Sequence, residues 1–374
     1  MMRSISVLIK PVSSLCNLRC RYCFYANISN LRAIKSYGIM QEDTIKNIID
    51  NTFEVLDSGD RVEFAFQGGE PTLAGVKFYQ YFIKYVNKTK KNIIVNYSIQ
   101  TNGTLIDKEW CEFLKKNNFL VGLSLDLLKD IHDKNRVYLS NKGSYEDVIN
   151  TKKLLEKHKI EFNILCVLTN QIACNPNKVF NVIKETDIKY IQFIPCLDDL
   201  YCEDKSEYSL EPKYFANFYK IVFKLWKNEL DNGNYISINL FDNIISLLIT
   251  GIPSICGIIG KCQPQFVIEA DGSVYPCDFY VLDNYNLGNI KDNTLLNILR
   301  KPTMYKFLHE NIQKESICIN CNFYRICGGG CKRMKNFMYI DSNSNYCGYK
   351  DFLMCNFNDL KRIAELVYKN QIPK

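Results

Sequence analysis

Short, almost unbroken apolar runs alternate with amphipathic stretches through the first half of the chain. The runs lie at residues 6–10, 62–66, 93–99, 120–125, 162–168 and 190–194 and are rich in Val, Ile, Leu, Phe and Tyr. Continuous apolar character marks strands covered on both faces, as in a parallel sheet. Between them, segments such as 41–56, 108–116 and 144–158 read as amphipathic helices. Ser144 followed by Asp147 resembles a capping box at the start of the last one. Six successive β/α units favour a parallel barrel or a doubly wound sheet.

Polar and glycine-rich motifs follow the runs directly: Gln67-Gly68-Gly69-Glu70-Pro71, Gln100-Thr101-Asn102-Gly103, Ser124 to Asp126, and Thr169-Asn170. The carboxyl ends of parallel strands are where such folds bind ligands. Any one of these motifs alone reads equally as an ordinary βα turn. From residue 212 the pattern changes. Two helical segments, 212–230 and 236–250, lead into a loop-rich region. There the apolar stretches 265–270 and 273–276 flank Asp271-Gly272, a two-residue hairpin signal. A final helical segment is expected near 358–369, and the domain boundary between about 210 and 250.

Composition narrows the class. The chain has 374 residues, 47% of them hydrophobic, which excludes a wholly disordered polymer. Basic residues exceed acidic ones to give +7, but they are scattered, and only 88–91 (KTKK) forms a run. A solvated helix end explains that run better than a nucleic-acid patch. Lys10 and Pro11 interrupt the apolar start before a signal-peptide core forms. The long uncharged stretch at 243–260 is broken by Gly251, Pro253, Gly257 and Gly260, so no membrane span is expected. A cytoplasmic protein is the expectation, and there spaced cysteines bind metal or do redox chemistry more often than they form disulfides.

Seventeen cysteines is a large number for such a chain. Cys16, Cys20 and Cys23 follow the first strand with spacing x3 and x2. Three thiolates this close can hold three irons of a [4Fe–4S] cluster and leave the fourth iron open to a substrate. A structural zinc site is the plainer alternative, but it normally takes a fourth nearby ligand, and no further His or Cys occurs until Cys111. With Tyr22 before the last cysteine, the motif resembles that of the radical S-adenosylmethionine superfamily. Gly68-Gly69-Glu70-Pro71 matches the superfamily motif that contacts the methionine amino group; glycines permit close approach, and carbonyls and a carboxylate suit an ammonium. The resemblance further implies that Ser124, Arg136 and the backbone around Leu197 bind the ribose, carboxylate and adenine parts. Arg136 reads equally as a surface partner of Asp130 or Asp133.

Cys262, Gly272, Cys277, Cys318, Cys321, Cys327, Cys331 and Cys347 reproduce the spacing of the SPASM domain. Cys256 brings the cysteines to eight, enough for two fully ligated [4Fe–4S] clusters. The resemblance implies Cys256, Cys262, Cys277 and Cys331 on one cluster, and Cys318, Cys321, Cys327 and Cys347 on the other. A pair of zinc ribbons would need a second CxxC at similar spacing, and in this block only Cys318/Cys321 is one. The implied architecture is α/β: a partial parallel (β/α)6 barrel over 1–210, a helical linker over 211–250, and a SPASM domain with a β-hairpin and helices over 251–374.

Within the superfamily the chain resembles the anaerobic sulfatase-maturating enzymes over nearly its whole length, through IKPVSSLCNLRCRYCFY, SYGIM, FAFQGGEPTLAG, QTNGTLID, FNILCV and DGSVYPCDFYVLDNYNLGNI. The implied reaction removes a Cβ hydrogen from a Cys or Ser of a sulfatase polypeptide with the radical derived from S-adenosylmethionine, and it ends at formylglycine. A low-potential donor of flavodoxin or ferredoxin type would supply electrons. Asp278 resembles the family's proton acceptor, and Tyr25, Gln67 and Gln100 would position the peptide. A turn-capping role for Asp278, or packing roles for the other three, are the plainer readings. The family pattern Asp-Gly-Pro is replaced by Asp126-Leu127-Leu128, which should alter that rim loop. Two rivals remain open. One is a SPASM maturase of a ribosomal peptide, although such enzymes often carry a leader-recognition domain and this barrel begins at once. The other is a non-catalytic zinc-binding module.

Overall fold

Strands occupy all six apolar runs in the computed structural model, which describes residues 3–202, 204–253, 255–310 and 315–369. They are β1 (Ser4–Ile9), β2 (Arg61–Phe66), β3 (Ile94–Thr101), β4 (Phe119–Ser124), β5 (Phe162–Leu168) and β6 (Tyr190–Pro195). Five shorter strands follow: β7 (Ser237–Ile238), β8 (Phe266–Ile268), β9 (Val274–Tyr275), β10 (Ile340–Asp341) and β11 (Tyr346–Cys347). Residues 1–2 and 370–374, at the outer ends of the expected first and last domains, lie outside the described residues, as do 203, 254 and 311–314. By contacts the chain divides into two units.

The first unit comprises residues 1–124, 135–162 and 264–310. Its sheet runs β4-β3-β2-β1-β8-β9, with every pair parallel except the β8–β9 hairpin. Register aligns Ile9 with Phe66, Phe66 with Ile99 and Ile99 with Val121. All four are buried, so the apolar runs fill one continuous layer. Connecting helices cover it; Gly75–Thr89 brings Tyr79 and Phe82 edge-on to Phe66, with ring centroids 5.0 and 5.1 Å away.

Two local expectations change here. The hairpin loop contains three residues rather than two. Glu269 N–H donates to Ser273 O, and Gly272 N–H closes back on Glu269 O, each at 2.9 Å. Gly272 supplies the positive φ, +95°, that this longer loop requires. Ser144 stands at the N-cap of its helix, Tyr145–Lys157, as expected, but its side chain makes no capping bond. Its hydroxyl instead donates to Arg136 O at 2.8 Å and ties down the segment carrying that arginine.

The second unit comprises 125–134, 163–263 and 311–374. Here β5, β6 and β7 are parallel neighbours. Helices Pro212–Asp231, Asn239–Thr250 and Gly348–Tyr368 pack on one another through Trp226, Phe241 and Phe352, with the Trp226–Phe241 centroids 5.1 Å apart. The last helix starts ten residues earlier than its periodicity suggests, because Cys347 accepts from Lys350 N–H as its N-cap. Leu127 keeps a glycine-like backbone, φ +22°, with its side chain buried at 1% exposure. Burial of the leucine thus offsets the strain expected from losing the family's glycine. Among the described residues no helix is long and apolar enough to cross a membrane.

Candidate functional site

The chain leaving β1 forms the cluster loop. Arg19 N–H donates to Val137 O (2.7 Å) and Arg21 N–H to Asn135 O (2.9 Å), which holds Cys16, Cys20 and Cys23 in a fixed bend. Cys23 then precedes the helix Phe24–Asn30. All three cysteines are partly accessible. Burial pushes the Cys16 thiol up to about 11, and Glu70 and Cys23 add to this, while the Leu18 N–H and Arg136 oppose it. A thiol held neutral in this way is deprotonated when a metal takes its proton's place. Arg136 is buried; its Nη1 donates to Tyr22 Oη at 3.2 Å, which places both beside the cluster loop.

Gly68 and Gly69 follow β2 with φ of +93° and +56°. A Cβ on Gly69 would lie 2.2 Å from Leu15 O, and one on Gly68 would lie 2.8 Å from Lys10 Cγ. Only glycine lets this backbone lie against the cluster loop. Gln67 N–H donates to Ile9 O (3.0 Å) and Glu70 N–H to Leu15 O (2.7 Å), fastening the two loops together. Glu70 is buried, and burial raises its pKa despite four donors. Its Oε1 accepts from Thr72 N–H (3.1 Å), Thr72 Oγ1 (2.6 Å) and Thr101 Oγ1 (2.7 Å); its Oε2 accepts from Asn102 N–H (2.7 Å). The motif glutamate therefore also ties the ends of β2 and β3 to each other.

Asp278 opens a short turn directly after Cys277. Its Oδ2 accepts from Tyr25 Oη at 2.5 Å and from Gln67 Nε2 at 2.8 Å. Thus three residues singled out separately in the sequence meet at one carboxylate. Burial, and next the Asp278 charge, raise the Tyr25 pKa strongly. A fourth participant escaped the sequence reading. Lys10 Nζ meets Asp278 Oδ1 at 2.8 Å, as a charge contact rather than a directed hydrogen bond, and lies 4.0 Å over the Tyr25 ring. Gln100 is exposed at the end of β3, and Ser124 is half-buried as the last residue of β4. Leu197 belongs to the second unit, buried in the stretch after β6.

The second unit gathers cysteines of its own. Cys318, Cys321 and Cys347 each add to the elevation of the Cys327 thiol, which burial chiefly pushes up to about 11. Burial raises Cys347 too, again with Cys318 and Cys321 contributing. Cys318 and Cys327 lie on the helical turns Ser316–Ile319 and Tyr324–Cys327, with Cys321 between them and Cys347 in the β10–β11 hairpin. Four thiols match one [4Fe–4S] cluster by number and chemistry, but as they stand no three Cys, His, Asp or Glu side chains among the described residues form a group that could hold a metal ion. Cys256 is likewise raised by burial and then by Cys331, and a Cβ on Gly257 would lie 3.5 Å from Cys331 Sγ. Cys262 is half-buried in the same unit, while Cys277 belongs to the first. Of the cysteines outside these sets, Cys166 is buried within β5 and packs as a small hydrophobe.

Comparison with known proteins agrees with this chemistry. Residues 11–173 match the radical SAM superfamily, and residues 260–322 match the SPASM iron-sulfur cluster-binding domain. The chain is 42% identical to a cysteine-type anaerobic sulfatase-maturating enzyme of Clostridium novyi, over 98% of this chain and 100% of that protein. It is 43% identical to one of Clostridium perfringens, over 97% and 99%. A serine-type enzyme of Bacteroides thetaiotaomicron is 31% identical over 88% and 83%. A solved structure of native anSMEcpe with bound AdoMet and Cp18Cys peptide matches at TM-score 0.90 and 41% identity, covering 97% of this chain and 99% of that one. SuiB of Streptococcus suis, at 18% identity and TM-score 0.63, shares the fold alone. Together with the cluster loop and the glycine motif fastened to it, this similarity makes the chain a radical SAM protein with a SPASM domain, and a member of the anaerobic sulfatase-maturating enzyme family.

Proposed function

We propose that this protein oxidises a cysteine of a sulfatase polypeptide to formylglycine, with S-adenosylmethionine as co-substrate and three [4Fe–4S] clusters as cofactors. The observation that carries the reading is full-length similarity at 42–43% identity to enzymes named for the cysteine-type reaction. Cysteine is favoured over serine because the serine-type relative is more distant, at 31%. Cys16, Cys20 and Cys23 would hold the catalytic cluster, and Cys318, Cys321, Cys327 and Cys347 an auxiliary one. Cys256, Cys262, Cys277 and Cys331 are the remaining ligands the family pattern implies. When bound, the catalytic cluster and S-adenosylmethionine supply the radical that removes the Cβ hydrogen.

The chain's own residues do the rest by position and charge. Gly68 and Gly69 offer backbone for close contact with the methionine ammonium, and Glu70 Oε2 retains acceptor capacity beyond its one donor. Tyr22, Ser124, Arg136 and Leu197 complete the proposed co-substrate contacts. Asp278 accepts the substrate thiol proton, and Tyr25 and Gln67 fix its Oδ2. Gln100 contributes to holding the peptide. A low-potential flavodoxin or ferredoxin would deliver electrons in the cytoplasm.

Incubating reconstituted, reduced protein with a sulfatase-motif peptide (Cys-x-Pro/Ala-x-Arg) tests the reading. Mass spectrometry should find a loss of about 18 Da from the cysteine peptide, and about 2 Da from a serine version if that is accepted. Deoxyadenosine formed without any aldehyde would sink the assignment. A thioether or carbon–carbon link in its place would favour a peptide maturase.

A further inference from the structure

A buried lysine is unfavourable unless something compensates its charge. Lys10 is the first residue beyond β1, with a side chain only 3% exposed, and the Asp278 carboxylate compensates it at 2.8 Å. Three further contacts immobilise it. Its backbone N–H donates to Ile268 O at 2.9 Å, which anchors it to β8. Its ammonium lies over the Tyr25 ring. Its stem runs under Gly68, where a Cβ would approach Cγ, Nζ and Cδ at 2.8, 3.1 and 3.2 Å. One lysine therefore touches the glycine loop on one side and the proposed proton acceptor on the other.

From this we infer that Lys10 is a positioning residue for the oxidation, holding Asp278 in register with the Gly68-Gly69 loop so that proton acceptance and hydrogen abstraction address the same substrate residue. The inference rests on the reading of Asp278 as proton acceptor. In this role Lys10 acts through the carboxylate rather than on the substrate itself. Asp278 sits in a short turn after the β9 strand, and Tyr25 and Gln67 both hold Oδ2, so Lys10 is what meets Oδ1. Without it that oxygen loses its charged contact, and the carboxylate gains freedom to turn away from the productive orientation. A small angular error at such a site is enough to separate radical formation from product formation.

The measurement is the yield of formylglycine per deoxyadenosine in Lys10→Met, alongside iron content and S-adenosylmethionine binding in the same preparation. Iron and binding should stay within about twofold of the parent, while the yield falls about tenfold or more. Lys10→Gln, which keeps a donor but no charge, should give an intermediate yield. In the double variant Lys10→Met/Asp278→Asn, the yield should match that of Asp278→Asn alone, since one residue acts through the other.

An unchanged yield in Lys10→Met overturns the inference, and so does a further tenfold loss in the double variant. Loss of the clusters in both single Lys10 variants overturns it too, because the lysine would then serve assembly. Asp278→Asn with an unaffected yield removes the reading of Asp278 itself. An uncoupled Asp278→Asn beside a fully coupled Lys10→Met removes only the role of Lys10.

Discussion

Gly69→Ala offers the sharpest separation of backbone strain from site geometry. The added Cβ would stand 2.2 Å from Leu15 O and 3.0 Å from Leu15 C and N, all backbone atoms that no rotamer change can move aside. Reaching even a 3.0 Å separation means opening the contact by about 0.8 Å. That breaks the bond from Glu70 N–H to Leu15 O and displaces the residue next to Cys16. Alanine at φ +56° adds strain of roughly 1–2 kcal/mol, and a buried donor left unpaired adds about 1–3 kcal/mol. Gly59 is the control: its φ is +88°, yet nothing lies within 4 Å of its virtual Cβ, so Gly59→Ala carries the strain alone.

Iron analysis after anaerobic reconstitution reads the difference. The parent and Gly59→Ala should hold about twelve irons, four per cluster, and Gly69→Ala about eight. The lost cluster should be the one whose reduced paramagnetic signal responds to S-adenosylmethionine. Retention of about twelve irons and that response in Gly69→Ala would refute the reasoning. Equal iron loss in Gly59→Ala would refute it as well, since strain alone would then suffice.

Three further outcomes follow from buried groups. Arg32 and Glu269 form an ion pair with both side chains 2% exposed. Arg32→Met should lower stability by about 3–5 kcal/mol in denaturant titration, and Arg32→Met/Glu269→Met by much less, because no charge is stranded. Leu127→Gly relieves roughly 1–2 kcal/mol of strain but forfeits about 1.5–3 kcal/mol of burial, plus a cavity, so its unfolding midpoint should fall. In the metal-free protein, burial raises the Cys16 and Cys327 thiols to about 11. As pH passes from about 9 towards 11 the unfolded chain releases these protons first, so apo stability should fall across that window. Cys327→Ser in the apo form should have a shallower fall in Tm with pH, and an equal slope would count against the assigned shift.

The strands were legible as apolar runs, but the runs do not mean burial on both faces: along β2, Val62, Phe64 and Phe66 are buried while Arg61, Glu63 and Ala65 are not, and Ile94, Leu120 and Tyr190 are exposed. The cysteine sets were legible because ligand spacing is a local property. Long-range arrangement was not. Tyr25 and Gln67 reach Asp278 across sequence separations of 253 and 211 residues, and no local pattern encodes that meeting. Lys10 was hidden for the same reason: at the end of an apolar run it reads as a solvated strand terminus, and only its distant partner makes it a core residue. The motif revealed a carboxylate at Glu70 but not the donors from Thr72, Thr101 and Asn102 that hold it. Ser144 stands at the N-cap as expected, but its hydroxyl is turned towards Arg136 O and makes no bond to a helical N–H.

The segment leaving β1 explains why these pieces act together. Ile9 O receives Gln67 N–H, Leu15 O receives Glu70 N–H, and Lys10 N–H donates to Ile268 O, so one stretch of backbone is bonded both to the continuation of β2 and to the last residue of β8. The glycine loop and the hairpin that leads to Asp278 are thereby both built onto the same strand end as Cys16. In the proposed chemistry a hydrogen atom leaves carbon and a proton leaves sulfur on one substrate residue, so the groups serving the two steps must keep a fixed separation. Backbone hydrogen bonds to a central strand set that separation more firmly than side-chain contacts on loops could. Substitutions at positions 10, 68 and 69 should therefore perturb one another's effects, since each alters the same segment rather than an independent contact.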